Sequence, residues 1–403
     1  ITSTHRMLAM SEKTVPGNGV TDSRPVIEQG QAQSKRYIAF DMERIAVDSG
    51  SVISASLFGA LAGSAALPFS RESFEETIRA SSRGVEPSLK AFDVAFSTAR
   101  EAQPRFEDTT KKTPVPQYTV RGPELKQQNW QQLMARCAQL PPVVQTMALA
   151  GCHKIADFQD VDYVTEYLER LESVVQDDVV LGGADRGYRL SVAAAKYIAN
   201  AMVYDDVIRV ADLKTRAVRF SRIRADIGVS DDAVLHLTEY FHPRAQEVCA
   251  IIPARLGRLV ESCPTLFKWL DRLVNRGRRI RTDKLLGFIQ LYMIAGLRRW
   301  RRRLLRHAVE QQHIRTWLES ALSTAPADYD LAVEMIQCHR LVKGYSDTHA
   351  RTLSKFDRVM AAAIELRGAV DAADSVRRLC VSAMQEEDDV KLEEALVAVK
   401  PAH

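Results

Sequence analysis

The most constraining stretch of the chain runs from residue 50 to 96 and reads GSVISASLFGALAGSAALPFSRESFEETIRASSRGVEPSLKAFDVAF. Residues 52–66 are apolar and small, and Ala55, Gly59 and Gly63 fall four apart. On a helix they line one face with almost no side-chain bulk, so another backbone can approach closely. A membrane span needs about 20 apolar residues. This run is shorter, is interspersed with Ser51, Ser54, Ser56 and Ser64, and stops at Pro68, which cannot continue a helix. It reads as tight packing, inside a domain or against a partner subunit or a missing half-domain. Ser70 or Ser73 can cap the next helix, and Ser73 with Glu76 fits a capping box. Phe74 and Ile78 form its apolar pair, and Gly84 breaks it. Pro87 then opens a third helix with the face Leu89, Phe92 and Phe96.

A chain of 403 residues has room for two or three domains. With 46 % hydrophobic and 26 % charged residues it belongs with globular rather than disordered chains. A net charge of +4 does not by itself imply nucleic acid. The cysteines, Cys137, Cys152, Cys249, Cys263, Cys338 and Cys380, form no C-x-x-C pair, so zinc and iron–sulfur sites of the usual spacing are not encoded. Such scattered thiols suit a reducing compartment. Neither a signal peptide nor a spanning segment is visible, and a soluble, cytoplasmic protein is expected. The chain begins on Ile1, which reads as a cut from a longer polypeptide.

Taken in order, residues 16–22 (PGNGVTD) are a turn-rich near miss to a dinucleotide loop, lacking its last glycine. Residues 36–40 (RYIAF) read as a short buried strand, and Asp41 as the cap of a following helix. One strand cannot build a doubly wound sheet, so the remainder of the sheet is expected upstream. Residues 101–123, with four prolines, read as a semi-extended linker. Beyond it helical spacing dominates: one or two long helices are expected over 190–227, a strand over 234–241 (VLHLTEYF), and helices again from 248 onward. No repeat period is apparent.

Three constellations could carry chemistry. RRWRRRLLR at 298–306, with Arg278, Arg279 and Arg281 upstream, can grip phosphates of RNA or of a coenzyme, or lie as a solvated or subunit-contacting face. Residues 204–216 (YDDVIRVADLKTR) place Asp205 and Arg209, and Asp212 and Arg216, four apart as helical ion pairs. In HRLVKGYSDTHAR at 339–351, Gly344 breaks a helix and Asp347 can cap the next. Lys343, Tyr345, Asp347, His349 and Arg351 then crowd a positive helix start, as an anion site or as a capping network. No G-x-S-x-G, H-E-x-x-H or P-loop is present, and no catalytic or metal-ligating set emerges.

The stretch GSVISASLFGALAGSAALPFSRESFEETIR, followed by GVEPSLKAF, resembles the second half of the gamma-type domain of 2-oxoacid:ferredoxin oxidoreductases. Ser3-Thr4-His5-Arg6, Ser11-Glu12-Lys13 and Ala39-Phe40-Asp41 fit the same domain. FQDVDYVTEYLERL, YDDVIRVADLKTRAVRF, the TEYF-HP segment and LVKGYSDTHAR are similar to the long C-terminal extension of one branch, the indolepyruvate oxidoreductase beta subunits. The resemblance implies a mainly α chain: the second half of an α/β domain at 1–100, a linker at 101–123 and a helical extension at 124–403. It implies oxidative decarboxylation of an arylpyruvate to an aryl-acetyl-CoA, with electrons passed to ferredoxin. Thiamine diphosphate, Mg and 4Fe-4S clusters belong to a partner alpha subunit, and this chain would bear no cofactor. Coenzyme A as co-substrate would meet His5, Arg6, Arg302, Lys343, Tyr345, Asp347, His349 or Arg351. The gamma domain normally starts with a strand and Gly-rich loop upstream of Ile1. The competing expectation is a helical interaction or RNA-binding protein built on 298–306, against which stands the scarcity of neighbouring aromatics.

Overall fold

Apolar side chains three and four apart set the architecture, and the structure, a computed structural model, is mainly α-helical. It describes residues 1–6, 12, 22–81, 84–101, 123–227, 234–344, 346–385 and 390–399. The backbone divides into two units, Ile1–Tyr118 and Thr119–His403.

In the first unit β1 (Thr2–Ser3) pairs in parallel with β2 (Ala39–Phe40), Thr2 opposite Ala39. Between them lies α1 (Arg24–Gln33). Then follow α2 (Met42–Asp48), α3 (Ile53–Gly63), α4 (Arg71–Arg79) and α5 (Val85–Glu101). The strand expected at 36–40 is confined to its last two residues, and a pairing two residues long is not a sheet layer. Asp41 caps α2, its carboxylate accepting from Arg44 N at 2.9 Å. Ser70 rather than Ser73 caps α4, because Ser70 is the last extended residue (φ −71°, ψ 158°) and Ser73 already lies in the first turn. The turn-rich residues 16–21 and the linker from 102 to 122 lie outside the described residues.

The small face of α3 packs on α5 of its own unit. A Cβ on Gly59 would stand 2.2 Å from the Phe92 carbonyl oxygen, and one on Gly63 2.4 Å from that of Phe96. Ala55 is buried on the same helix. The close contact expected with a partner subunit or a missing half-domain is therefore made within the unit, where the backbone at Phe92 and Phe96 runs against α3. Phe58, Phe74 and Phe92 close this core, with Phe58 and Phe74 edge to face at 4.8 Å. Among the described residues no single helix is long and apolar enough to cross a membrane; α2 and α3 qualify only as a pair bent by 119°.

The second unit continues with α6 (Glu124–Ala138), α7 (Pro142–Phe158), α8 (Val161–Val180), α9 (Arg189–Met202), α10 (Val207–Thr215) and α11 (Ala217–Ile227). After β3 (Thr238–Phe241) come α12 (Ala245–Ala250), α13 (Ala254–Ser262), α14 (Pro264–Val274), β4 (Arg278–Arg281) and α15 (Leu285–Gly296). A 3-10 segment, Leu297–Arg303, leads into α16 (Leu305–Thr324) and α17 (Tyr329–Gln337). A second 3-10 turn, Cys338–Leu341, precedes α18 (Ser346–Glu365), α19 (Ala372–Gln385) and α20 (Val390–Val399). One apolar core joins α6–α9 to α16–α20, centred on side chains such as Tyr163, Tyr167, Leu168, Ile198 and Trp317. Buried Asp178 ties three of these helices together. It accepts from Ser191 N at 3.0 Å, Ser191 Oγ at 2.6 Å and Tyr329 Oη at 2.9 Å.

Two expectations change here. The span 190–227 holds three helices, because Asp206 caps a new helix and Arg216 is extended (ψ 134°). The strand expected at 234–241 survives only as Thr238–Phe241. Its antiparallel partner is the arginine-rich β4, which alternation did not betray; Tyr240 faces Arg279, whose guanidinium lies 5.5 Å from the ring centre.

Candidate functional site

A cleft of about 260 Å³ opens where the starts of α10 and α12 meet α16 and α18. Asp205 and Asp206 precede α10, Arg244 precedes α12 with Gln246 and Glu247 in its first turn, Arg306 starts α16, and His349 lies early in α18. Local rules place them. Asp206 is the N-cap of α10, accepting from Arg209 N at 2.6 Å. Glu247 caps α12 by accepting from Arg244 N at 3.3 Å. Gly344, at φ +75°, turns the chain into α18.

One wall is held by Arg301, which is 1 % exposed. Its Nε and Nη2 donate to the two Asp206 oxygens at 2.9 and 3.1 Å, and Nη1 donates to Phe158 O at 2.8 Å and Gln159 Oε1 at 3.1 Å. The guanidinium lies 4.1 Å from the centre of the Phe158 ring. A buried charge is tolerable only with its donors and counter-charge supplied in this way.

Behind the cleft runs a buried polar row. Tyr204 Oη and His307 Nδ1 lie 3.1 Å apart. Arg306 Nη2 is 2.8 Å from Glu310 Oε1 but off the hydrogen-bond axis, and His349 Nε2 is 3.5 Å from the same oxygen. The His313 and His339 rings follow, 5.6 Å apart. Burial pushes the imidazoles down: His307 to about 4, with nearby Arg302 adding to it; His349 to about 4, with Arg306 adding; His339 to about 3. Burial pushes the Glu310 carboxyl up. Arg306 Nε and Nη2, His313 Nε2, His339 Nδ1 and His349 Nε2 are buried without a hydrogen-bond partner. Buried polar atoms are nearly always satisfied, so this cluster marks a place suited to a ligand or water. A guanidinium edge beside an imidazole can hold a carboxylate or phosphoryl oxygen. A neutral imidazole beside a carboxyl with a raised pKa can pass a proton.

Residues 144–362, more than half the chain, match a family of unknown function, DUF6537. The chain belongs to this family. The whole cleft falls within the matched DUF6537 segment. Over 70 residues, 16 % of this chain, it is 37 % identical to the protein named indolepyruvate oxidoreductase subunit IorB of Pyrococcus horikoshii. The chain spans about a third of that relative's length (35 %). No solved structure matches.

Of the residues named for coenzyme A, His349 is the one that lines the cleft among the described residues, and Asp205, Asp206 and Arg306 of the other two constellations line it too. His5, exposed, and Arg6, paired with Glu12, lie in the first unit. Arg302 pairs with Glu166 on α8. Lys343 is half-buried, its amide donating to Thr352 Oγ1 at 3.2 Å. Tyr345 and the Asp347 side chain lie outside the described residues, and Arg351 is exposed on α18. The 298–306 cluster is not a free basic face: Arg298 donates to Gln159 O, Arg301 is buried, and Arg302 and Arg306 are ion-paired. The Asp212–Arg216 pair forms at 2.6 Å. Asp205–Arg209 does not form, because Asp205 precedes the helix; Arg209 turns to Asp157 at 2.7 Å instead.

Periodicity alone did not single out His307, Glu310 and His313. One signal was present: Glu310 is in register with Ile314, Trp317 and Ala321, the buried stripe of α16. A carboxylate on such a stripe is a buried acid in need of partners.

Proposed function

We propose that this chain is a subunit of a 2-oxoacid oxidoreductase acting in the cytoplasm, specifically one that takes an arylpyruvate such as indolepyruvate to an aryl-acetyl-CoA. The similarity to the Pyrococcus horikoshii subunit carries this reading. In it a partner alpha subunit bears thiamine diphosphate, Mg and 4Fe-4S clusters, ferredoxin accepts the electrons, and this chain builds and covers the site. Co-expression with such a partner is expected to give a stable complex that reduces ferredoxin or a dye only when both indolepyruvate and coenzyme A are supplied. A pair that does not associate, or associates without that activity, sinks the proposal.

Arg306, whose Nε has no hydrogen-bond partner, and His349 favour a second, compatible role. The cleft would hold an anionic group of a small ligand, with the phosphates of coenzyme A the first candidate. Arg306→Ala and His349→Ala are each expected to weaken coenzyme A binding roughly tenfold by calorimetry. Arg302→Ala, already engaged with Glu166, should leave it unchanged. Equal affinity in all three variants removes this role.

A further inference from the structure

Helices α13, α14 and α15 turn apolar side chains to solvent. Leu256 and Leu259 on α13 are exposed, as are Leu266, Trp269 and Leu273 on α14. Trp269 is 61 % exposed, and no residue of α14 is buried. On α15, Leu285, Leu286, Tyr292 and Met293 are exposed, Leu286 by 72 %. These positions are not scattered. The three on α14 stand at i, i+3 and i+7, one stripe of a helix whose other apolar residues, Phe267, Leu270 and Val274, are half-buried. α13 and α14 pack on one another, and exposed apolar stripes on two adjoining helices suit an interface.

Charge narrows what covers it. Residues 254–303 carry fourteen lysines and arginines against three acids, an excess of eleven in a chain whose net charge is +4. Four of the arginines, Arg281, Arg298, Arg301 and Arg302, are engaged inside the unit. Arg255, Arg258, Lys268, Arg272, Lys284 and Arg303 are exposed and have no ion pair among the described residues. Residues 1–118 hold fourteen basic and fourteen acidic residues and offer no complementary charge. A second copy meeting through the same face would oppose two like-charged surfaces. Nucleic acid would answer the charge and could stack on Trp269 and Tyr292, but it would leave the leucine stripes uncovered.

We propose that α13 and α14 form the docking face for a different protein subunit, apolar at the centre of its contact and bordered by carboxylates. This rests on the reading of the chain as an oxidoreductase subunit, in which the occupant is the thiamine-bearing partner. The test is titration of the full chain against that partner subunit at two salt concentrations. Leu259→Glu with Trp269→Glu is expected to weaken binding by more than about tenfold. Arg258→Glu with Arg272→Glu is expected to weaken it similarly and to flatten its salt dependence. Both sites are exposed, and the cooperative melting of each variant by circular dichroism checks its fold. Wild-type binding that neither variant alters overturns the docking face and leaves the subunit reading intact. A wild type that does not bind the partner overturns both. Self-association, single-stranded RNA binding, or binding to vesicles of mixed neutral and anionic phospholipid that is lost in these variants assigns the face to that occupant and overturns the proposal.

Discussion

Replacing Arg301 by alanine is expected to cost the second unit about 3–5 kcal/mol, the usual penalty for stranding the partner of a buried ion pair. Asp206 is 6 % exposed and would lose the guanidinium that faces both its oxygens. Phe158 O and Gln159 Oε1 would lose a donor in the same step, and the Phe158 ring would lose its stacked cation. At this size the melting temperature should fall by roughly 10 °C. Arg301→Lys should rescue little, because an ammonium cannot present two parallel donors to the carboxylate and a third to the carbonyl. Arg303→Ala, exposed a few residues away, is the control and should stay within about 0.5 kcal/mol of wild type. Thermal or urea unfolding reads the result, and a loss for Arg301→Ala no larger than for Arg303→Ala overturns this account of the wall.

The second large effect is acid sensitivity. His307 and His349 are depressed to about 4 and His339 to about 3, all by burial first. In the unfolded chain an imidazole titrates near about 6.5. Between these values the unfolded state binds protons that the fold refuses, so stability falls as pH falls. The loss begins near about 6.5 and continues to about 4, where His307 and His349 charge within the fold as well. Each histidine contributes about 1.4 kcal/mol per pH unit across that window. Glu310 opposes one of them, since its raised carboxyl takes a proton in the fold before the unfolded chain does. A net loss on the order of 5 kcal/mol between pH 6.5 and 4 is expected from urea unfolding at stepped pH. His307→Gln should flatten the slope by about one histidine's share. A stability that stays level across this window contradicts the burial of these rings.

Much of the helical architecture was legible in the chain. Tyr163, Tyr167, Leu168 and Leu171 on α8 announce a buried stripe by spacing alone, and they are buried. Asp41 and Ser70 announce helix starts. Pairings between distant segments were not legible. The strand Arg278–Arg281 carries no apolar alternation, and only its ladder to Thr238–Phe241 defines it. The arginine cluster misled for a related reason. Sequence counts charges, but whether a guanidinium meets solvent or a buried carboxylate 95 residues away depends on helix packing.

By itself the sequence determined a helical chain, the break at Pro68 and the close approach required by Ala55, Gly59 and Gly63, because these follow from backbone geometry within a few residues. Only the tertiary structure decided that α5 fills that small face, that Arg301 turns inward, and that His349 and Arg306 meet at one cleft with Glu310 behind them. Those outcomes depend on which buried charges find partners across the fold, and burial is a property of the packed molecule.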